Sequence, residues 1–285
     1  MSIALRKVKE KIDSIENIRG IIDAMYTIST IKIKKAQEAL HKARKYSDRI
    51  NTLFRDLLPH IDRNVHPLLA QREPKNRCYI VITSDHGLCG AFNSNIIATA
   101  EREFSKLNKD EIFLICVGRA GRDYFHYKGY NVIGEYIRFF DELEYQHALE
   151  VAEVVMDLFM LFEMDQAIVI YNEFKSMIRQ NVIVKQYLPL VVKPTTAKVR
   201  SEMLFIPGRD EIVKHLVPQH LNVQMWEYLL ESYAAEQAAR MISMESAGKN
   251  AEDMIEKLRL SYNKIRQAEI TSEIMDVIGG TNTLE

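Results

Sequence analysis

The sequence predicts an α/β protein in which a doubly wound domain is inserted between two long terminal helices. Three observations lead to this fold class. Both ends of the chain repeat apolar residues at helical spacing, the middle holds short apolar runs typical of buried strands, and amphipathic segments separate those runs. The predicted boundaries are residues 1–60 for the N-terminal helix, 75–195 for the α/β domain and 209–285 for the C-terminal helix.

The N-terminal segment carries a narrow apolar seam with steps of three and four residues, which is typical of a coiled coil. The seam residues are Leu5, Val8, Ile12, Ile15, Ile18, Ile22, Met25 and Ile28. The first proline is Pro59, so a helix of about 55 residues, about 80 Å long, is expected.

The C-terminal segment repeats this pattern, because no proline follows Pro218 and apolar residues recur at helical intervals. They are Leu229, Tyr233, Met254, Leu258, Tyr262, Ile265 and Val277. A stripe of small residues (Ala234, Ala235, Ala238 and Ala239) either lets another helix approach closely or reflects helix propensity alone.

Local charge favours pairing of the two ends of the chain. Residues 1–64 hold 14 Lys and Arg against 8 Asp and Glu, a difference of +6, while residues 211–285 hold 7 against 12, a difference of -5. Opposite charges on two long helices favour their association and orientation. The alternative is that both are solvated faces of unrelated composition.

The middle of the chain alternates strand-like and helix-like segments, which predicts a Rossmann-like domain. The strand candidates are residues 78–83, 112–117 and 166–171, with weaker ones at 131–137 and 182–187. The helical candidates between them are residues 92–107, 119–127 and 145–162.

Composition excludes several function classes. The balance of 38 Lys and Arg against 39 Asp and Glu gives no basic field for nucleic acid. Cys78, Cys89 and Cys116 are too dispersed for a disulfide framework or a spaced metal site, so reduced structural thiols in a cytosolic compartment are expected. We expect no secretory signal, no membrane span, no metal and no cofactor.

The loop after the first predicted strand, residues 84–90 (SDHGLCG), is the place to look for chemistry. It is neither a Walker loop nor a dinucleotide fingerprint. Cys89, His86 and Asp85 offer a nucleophile, a base and an acid, but adjacency in sequence does not make a triad. A sharp strand-to-helix turn explains the glycines better, with Asp85 or Asn93 as local caps and Cys89 packed as a small apolar residue. We therefore expect no catalytic residue.

Three segments resemble the gamma subunit of F-type ATP synthases. Residues 83–93 (TSDHGLCGAFN), 236–241 (EQAARM) and 266–274 (RQAEITSEI) are similar to three signature stretches of that family, in the same order. Residues 11–17 (KIDSIEN) resemble its opening helix, so the resemblance covers essentially the whole chain.

The resemblance implies a non-catalytic rotor. The terminal helices form an antiparallel coiled coil inside a ring of alternating alpha and beta subunits, and the foot of the α/β domain meets the epsilon subunit and the membrane c-ring. The chain would lie at the cytoplasmic face of the bacterial inner membrane, held there by its partners, and would serve ATP synthesis and hydrogen ion transport. The residues that match partner contacts in the family are Met25, Arg240, Gln267, Thr271 and Glu273 on the shaft, and Phe205 and Pro207 at the foot.

Departures from the family pattern leave the subfamily and the coupling ion open. Gly20 and Asp23 stand where many relatives carry basic or polar residues, and Gly20 inside a helix suggests a close helix crossing. Two other classes of function stay open as alternatives: a static coiled-coil scaffold and a small α/β enzyme with helical appendages.

Overall fold

Two long helices bracket the chain, as the apolar spacing predicts. Helix α1 spans Ile3–Leu57 and helix α5 spans Arg209–Thr281. The computed structural model describes residues 3–57, 66–190 and 208–281. The chain divides into two units: a helical unit, described here for residues 3–30 and 240–281, and an α/β unit, described for residues 31–57, 66–190 and 208–239.

The described residues of the α/β unit form a five-stranded sheet with the order β3-β2-β1-β4-β5. Its strands are β1 (Arg77–Ile82), β2 (Ile112–Val117), β3 (Asn131–Tyr136), β4 (Gln166–Phe174) and β5 (Gln180–Leu188). The first four pair in parallel, whereas β5 pairs antiparallel with β4.

Three helices cover the two faces of the sheet, which confirms the doubly wound arrangement. They are α2 (Phe92–Phe104), α3 (Arg119–Tyr127) and α4 (Tyr145–Met160). Side chains of α2 and α3 pack with Tyr79 and Val81 of β1, and side chains of α4 pack with Ile80 and Ile82 on the opposite face. Because helices cover both faces of the sheet, the sequence of β1 is a continuous apolar run.

The last strand departs from a purely parallel sheet. A short connection at residues 175–179 joins β4 directly to β5, and a hairpin of this length forces the two strands to run antiparallel. The result is a mixed sheet with β5 at one edge, where Val184 is exposed.

The small-residue stripe on α5 is part of the core of the α/β unit. Ala234, Ala235 and Ala238 are fully buried in the same cluster as Ile33 and Leu40 of α1. Small side chains allow the two helices to approach closely, as the stripe predicts. The hydrogen bonds that join Arg44 to Glu231 and Gln219 to Tyr46 show that the helices run antiparallel in this unit.

In the helical unit the apolar seam follows a slightly different set of positions from the predicted one. Ile18 and Ile28 are 50% and 53% exposed, while Ser29 is 1% exposed. The helix takes a step of four residues from Ile15 to the half-buried Arg19, where the sequence favoured a step of three to Ile18. Both steps keep a helical face, so periodicity cannot choose between them. On α5, Met254 is also exposed, against the predicted pattern.

Among the described residues, no helix combines the length and the hydropathy needed to cross a membrane.

Candidate functional site

The loop after β1 is closed by its own side chains. The Asn93 side-chain oxygen accepts a hydrogen bond from the Ser84 backbone N–H at 2.9 Å, and the Asn93 amide donates to Ser84 Oγ at 2.6 Å. Ser84 Oγ donates in turn to the His86 carbonyl oxygen at 2.8 Å. Asn93 therefore acts as a local cap on the loop, while α2 begins at Phe92 without a side-chain cap.

Asp85 sits at the start of α3. Its Oδ1 accepts a hydrogen bond from the backbone N–H of Arg119, the first residue of that helix, at 3.1 Å. A helix N-terminus attracts anions, and in nucleotide-binding α/β folds that anion is a phosphate. Here the chain's own carboxylate, 9% exposed, occupies that position. Asp85 thus caps a helix, as predicted, but the helix is α3, 34 residues along the chain, and not the local turn.

The thiol of Cys89 lies inside this turn and does not line an open cleft. It is 2% exposed, donates to the His86 carbonyl oxygen at 3.8 Å and accepts from the Asn93 amide at 3.5 Å. The His86 imidazole is largely exposed, with Nε2 3.4 Å from Asp141. Cys89 thus packs as a small buried residue, as predicted.

The other two cysteines are inert structural thiols. Burial is the main cause that raises the pKa of Cys78 and of Cys116 to about 12, so both stay protonated at neutral pH. Within the described residues, no group of His, Cys, Asp and Glu side chains is arranged to hold a metal ion.

The helical unit carries most of the predicted partner-contact residues. Gln267 and Thr271 are exposed one turn apart on α5, and Thr271 Oγ1 donates to the Gln267 carbonyl oxygen at 2.9 Å. Met25 is half-buried and Arg240 is only 7% exposed, so the chain itself covers most of that guanidinium. Glu273 lies in α5.

The two predicted foot residues, Phe205 and Pro207, lie outside the described residues.

Exposed ion pairs join the two helices within this unit. Arg259 donates to Glu16 at 2.7 Å, and the Arg19 guanidinium lies 3.3 Å from Glu252. Rising numbers on α1 meet falling numbers on α5, so the pairing is antiparallel here too. Because all four side chains are at least 40% exposed, each pair contributes little to stability, about 0–1 kcal/mol.

The expectation of a close helix crossing at Gly20 is wrong. Apart from the backbone of its own helical turn, a Cβ placed on Gly20 would meet no atom of the described residues within 4 Å. The close approach lies at Gly248 instead, where an added Cβ would touch Ile22 Cγ2 at 3.7 Å. A glycine inside a helix can face open space as well as a close neighbour, so its presence alone does not locate a helix contact.

One polar site was missed by the sequence reasoning. In the α/β unit, Arg44 of α1 pairs with the buried Glu231 of α5 at 2.8 Å. Its faint signal in the sequence is a carboxylate immediately before an alanine-rich, buried stretch of helix.

Long antiparallel helices in both units, an α/β sheet in one of them and a first loop filled by its own side chains define a class of protein in which paired terminal helices carry an α/β domain. A family model described as ATP synthase matches residues 4–284. The ATP synthase gamma chain of Pelotomaculum thermopropionicum is 39% identical over 283 residues, covering 99% of each chain. The gamma chain of Chloroherpeton thalassium is 37% identical over 298 residues, covering 99% of this chain and 98% of the relative. The chain therefore belongs to the ATP synthase gamma chain family.

Solved structures share this fold. A chain of the Euglena gracilis mitochondrial ATP synthase, from an OSCP/F1/c-ring structure in rotational state 3, aligns with a TM-score of 0.71 at 17% identity. The alignment covers 99% of this chain and 94% of that one. A central stalk/c-ring structure of the Tetrahymena thermophila mitochondrial enzyme aligns with a TM-score of 0.62 at 21% identity, over 80% and 99% of the two chains.

Proposed function

We propose that this chain is the central rotor shaft of an F-type ATP synthase. It couples ion flow through the membrane c-ring to ATP synthesis or hydrolysis in the ring of alpha and beta subunits. The observation that carries the proposal is the match to gamma chains along essentially the whole length. Gamma chains are non-catalytic, and the catalytic sites lie on the beta subunits.

The mechanism follows from a shaft that presents different chemistry on different sides. In the helical unit, Ile18, Ile21 and Ile28 are exposed on α1, whereas the ion pairs of Glu16 and Arg19 lie toward α5. A ring subunit that faces the apolar side meets different contacts from one that faces the charged side. Rotation therefore changes the free energy of each nucleotide site in turn, which is a coupling free energy carried by contacts.

The contact residues are part of this proposal. Gln267 and Thr271 are exposed on one face of α5, and this exposure supports contacts with loops of the surrounding ring. Met25, Arg240 and Glu273 match further family contacts on the shaft. Phe205 and Pro207 belong to the proposed foot that docks on the epsilon subunit and the c-ring.

The proposed location is the cytoplasmic face of a bacterial inner membrane. The chain would be peripheral there, because the c-ring and the ring of alpha and beta subunits hold it in place.

The direct test is gentle affinity purification of the tagged chain from its native membranes. We expect alpha, beta and epsilon subunits to co-purify with azide-sensitive ATPase activity. The identity of the c-ring subunit in that preparation then indicates the coupling ion. Recovery of homo-oligomers without an ATPase partner would overturn the rotor proposal and favour a static scaffold.

A further inference from the structure

An ion pair with one buried partner ties three elements of the α/β unit together. The guanidinium of Arg44 on α1 donates to Oε1 of Glu231 on α5 at 2.8 Å. The same nitrogen lies 3.4 Å from the carbonyl oxygen of Phe174, the last residue of β4 before the hairpin turn. One side chain therefore bridges the two long helices and the end of β4.

The surroundings of the Glu231 carboxylate make it depend on the Arg44 guanidinium. Its side chain is 6% exposed, and its Oε2 has no hydrogen-bond partner among the described residues. Burial raises the pKa of Glu231 above its ordinary value, the Arg44 guanidinium acts in the opposite sense, and the carboxylates of Glu227 and Glu173 add to the rise. Arg44 is thus the cation that compensates a buried carboxylate with like-charged neighbours.

The apolar packing next to this pair is rich in alanine on both helices. Ala36 and Ala43 on α1 lie in one cluster with Ala234 and Ala238 on α5, together with the larger Ile33 and Leu40 of α1. Small apolar side chains fill space in several registers, and a single buried polar contact is the best-attested way to select one register.

We propose that Arg44 and Glu231, with the Phe174 carbonyl, form a register lock that fixes the axial position of α1 against α5 and the β4–β5 hairpin. The part of this proposal that concerns coupling rests on the rotor function. Twisting two packed helices tends to slide one along the other, which is the shear motion of packed helices. A lock at this point opposes such sliding in the α/β unit. Arg44 and Glu231 are positioning residues and touch no substrate.

The lock is tested first by a distance measurement. Spin labels are placed on Arg49 of α1 and His215 of α5, both exposed and both in the α/β unit, and pulsed electron resonance gives their distance distribution in the full-length chain. The three native cysteines are buried, so cysteine labelling is selective. The test variant is Arg44→Met with Glu231→Leu, which replaces the pair by apolar side chains of similar size.

The matched control replaces a surface pair of the α/β unit by the same chemistry, Lys106→Met with Glu103→Leu. We expect one narrow distance distribution for the unmodified chain and for the control, and a broadened or displaced one for the lock variant. An unchanged narrow distribution in the lock variant would overturn the lock.

The role in coupling is tested in the purified complex, by the ratio of ions pumped to ATP hydrolysed. We expect the lock variant to assemble and hydrolyse ATP while this ratio falls several-fold, and the control to keep it. A broadened distribution with a full ratio would overturn the role in coupling. If the unmodified chain binds no alpha or beta subunits, the rotor function itself fails, and the distance measurement on the chain still decides the lock.

Discussion

The two units of this chain hold α1 and α5 together in different ways, one through a buried core and the other through a partly exposed seam. In the α/β unit the helices pack into a core whose central strand is fully buried, as Ile80 and Ile82 are both 0% exposed. In the helical unit the seam is only partly covered, and apolar residues such as Ile21 are 62% exposed. Stability is therefore concentrated in the α/β unit, and the helical unit leaves surface for other proteins to cover.

The ion pairs show the same contrast. The pair of Arg44 and Glu231 has one partner almost completely removed from water, whereas both members of the pair of Glu16 and Arg259 are exposed. Breaking a buried pair leaves an uncompensated charge, while breaking a surface pair changes little. The difference makes the comparison testable by substitution.

The largest effect is expected for Gly118→Ala in the α/β unit. Gly118 has φ of 93°, and an added Cβ would lie 2.2 Å from the carbonyl oxygen of Thr83. The Thr83 backbone cannot move aside without disturbing the sheet, so we expect a loss of more than about 3 kcal/mol in the free energy of unfolding. Denaturant unfolding followed by the fluorescence of Trp226, the chain's one tryptophan, measures it.

Gly87→Ala is the control for that substitution, because an added Cβ there meets no atom of a described residue other than its chain neighbours within 4 Å. We expect its unfolding midpoint to stay close to that of the unmodified chain. Equal effects at the two glycines would contradict the geometry assigned to Gly118.

Arg44→Met is expected to come next. It leaves Glu231 buried beside Glu227 and Glu173 without its cation, so we expect a loss of about 2–4 kcal/mol. Arg259→Met, which breaks an exposed pair, should cost less than about 1 kcal/mol. Denaturant titration of both variants checks this, and a similar loss in each would remove the contrast between the units.

His220→Phe should flatten the acid limb of the stability curve. Burial lowers the pKa of His220 to about 4, with a smaller contribution from Lys185, while the unfolded chain has the ordinary value of about 6.5. The unfolded state therefore binds the proton first, so the stabilisation is complete above pH 6.5 and is lost as the pH falls through 4. The ring packs 4.8 Å from Phe54, so a phenyl ring fits the same site.

Unfolding free energies measured between pH 7 and pH 4 test this, with the exposed His215→Gln as the control. We expect a shallower fall with decreasing pH for His220→Phe than for the unmodified chain or the control. Parallel curves for all three would show that His220 does not titrate on unfolding.

A small effect of the opposite sign is expected for Gly20→Ala in the helical unit. The position is inside α1, and an added Cβ has open space around it. Alanine has the higher helix propensity, so we expect a gain of about 1 kcal/mol in the stability of this helical segment. Amide hydrogen exchange of residues 15–25 measures it, and faster exchange in the variant would contradict the open geometry.

Much of the fold could be predicted from periodicity. The long helices follow from steps of three and four residues, and β1 and β2 follow from apolar runs that only a doubly covered strand tolerates. The direction of β5 could not be predicted, because residues 180–188 alternate weakly and the turn length decides the pairing. The sequence also could not show that Arg19, and not Ile18, follows Ile15 in the seam, because both positions fit a helical face.

The polar sites differ in how far they could be predicted. Asn93 bonds to Ser84 within the first loop, so its capping chemistry is local enough to predict from sequence. Asp85 instead bonds to Arg119, 34 residues along the chain, so only the folded chain brings these two together. Arg44 and Glu231 are separated by 187 residues, so only the folded chain brings them together. The partner contacts of Gln267 and Thr271 depend on other proteins and stay predictions.

Rotation of the chain inside its own complex tests the central claim most directly. Tyr127 is 88% exposed on the α/β unit, so Tyr127→Cys with a bead attached gives a visible marker, while the native cysteines stay buried. With the ring of alpha and beta subunits fixed to a surface, we predict that the bead turns in one direction when ATP is added and stops when ATP is removed. Sustained ATP hydrolysis with a stationary, firmly attached bead would contradict the account.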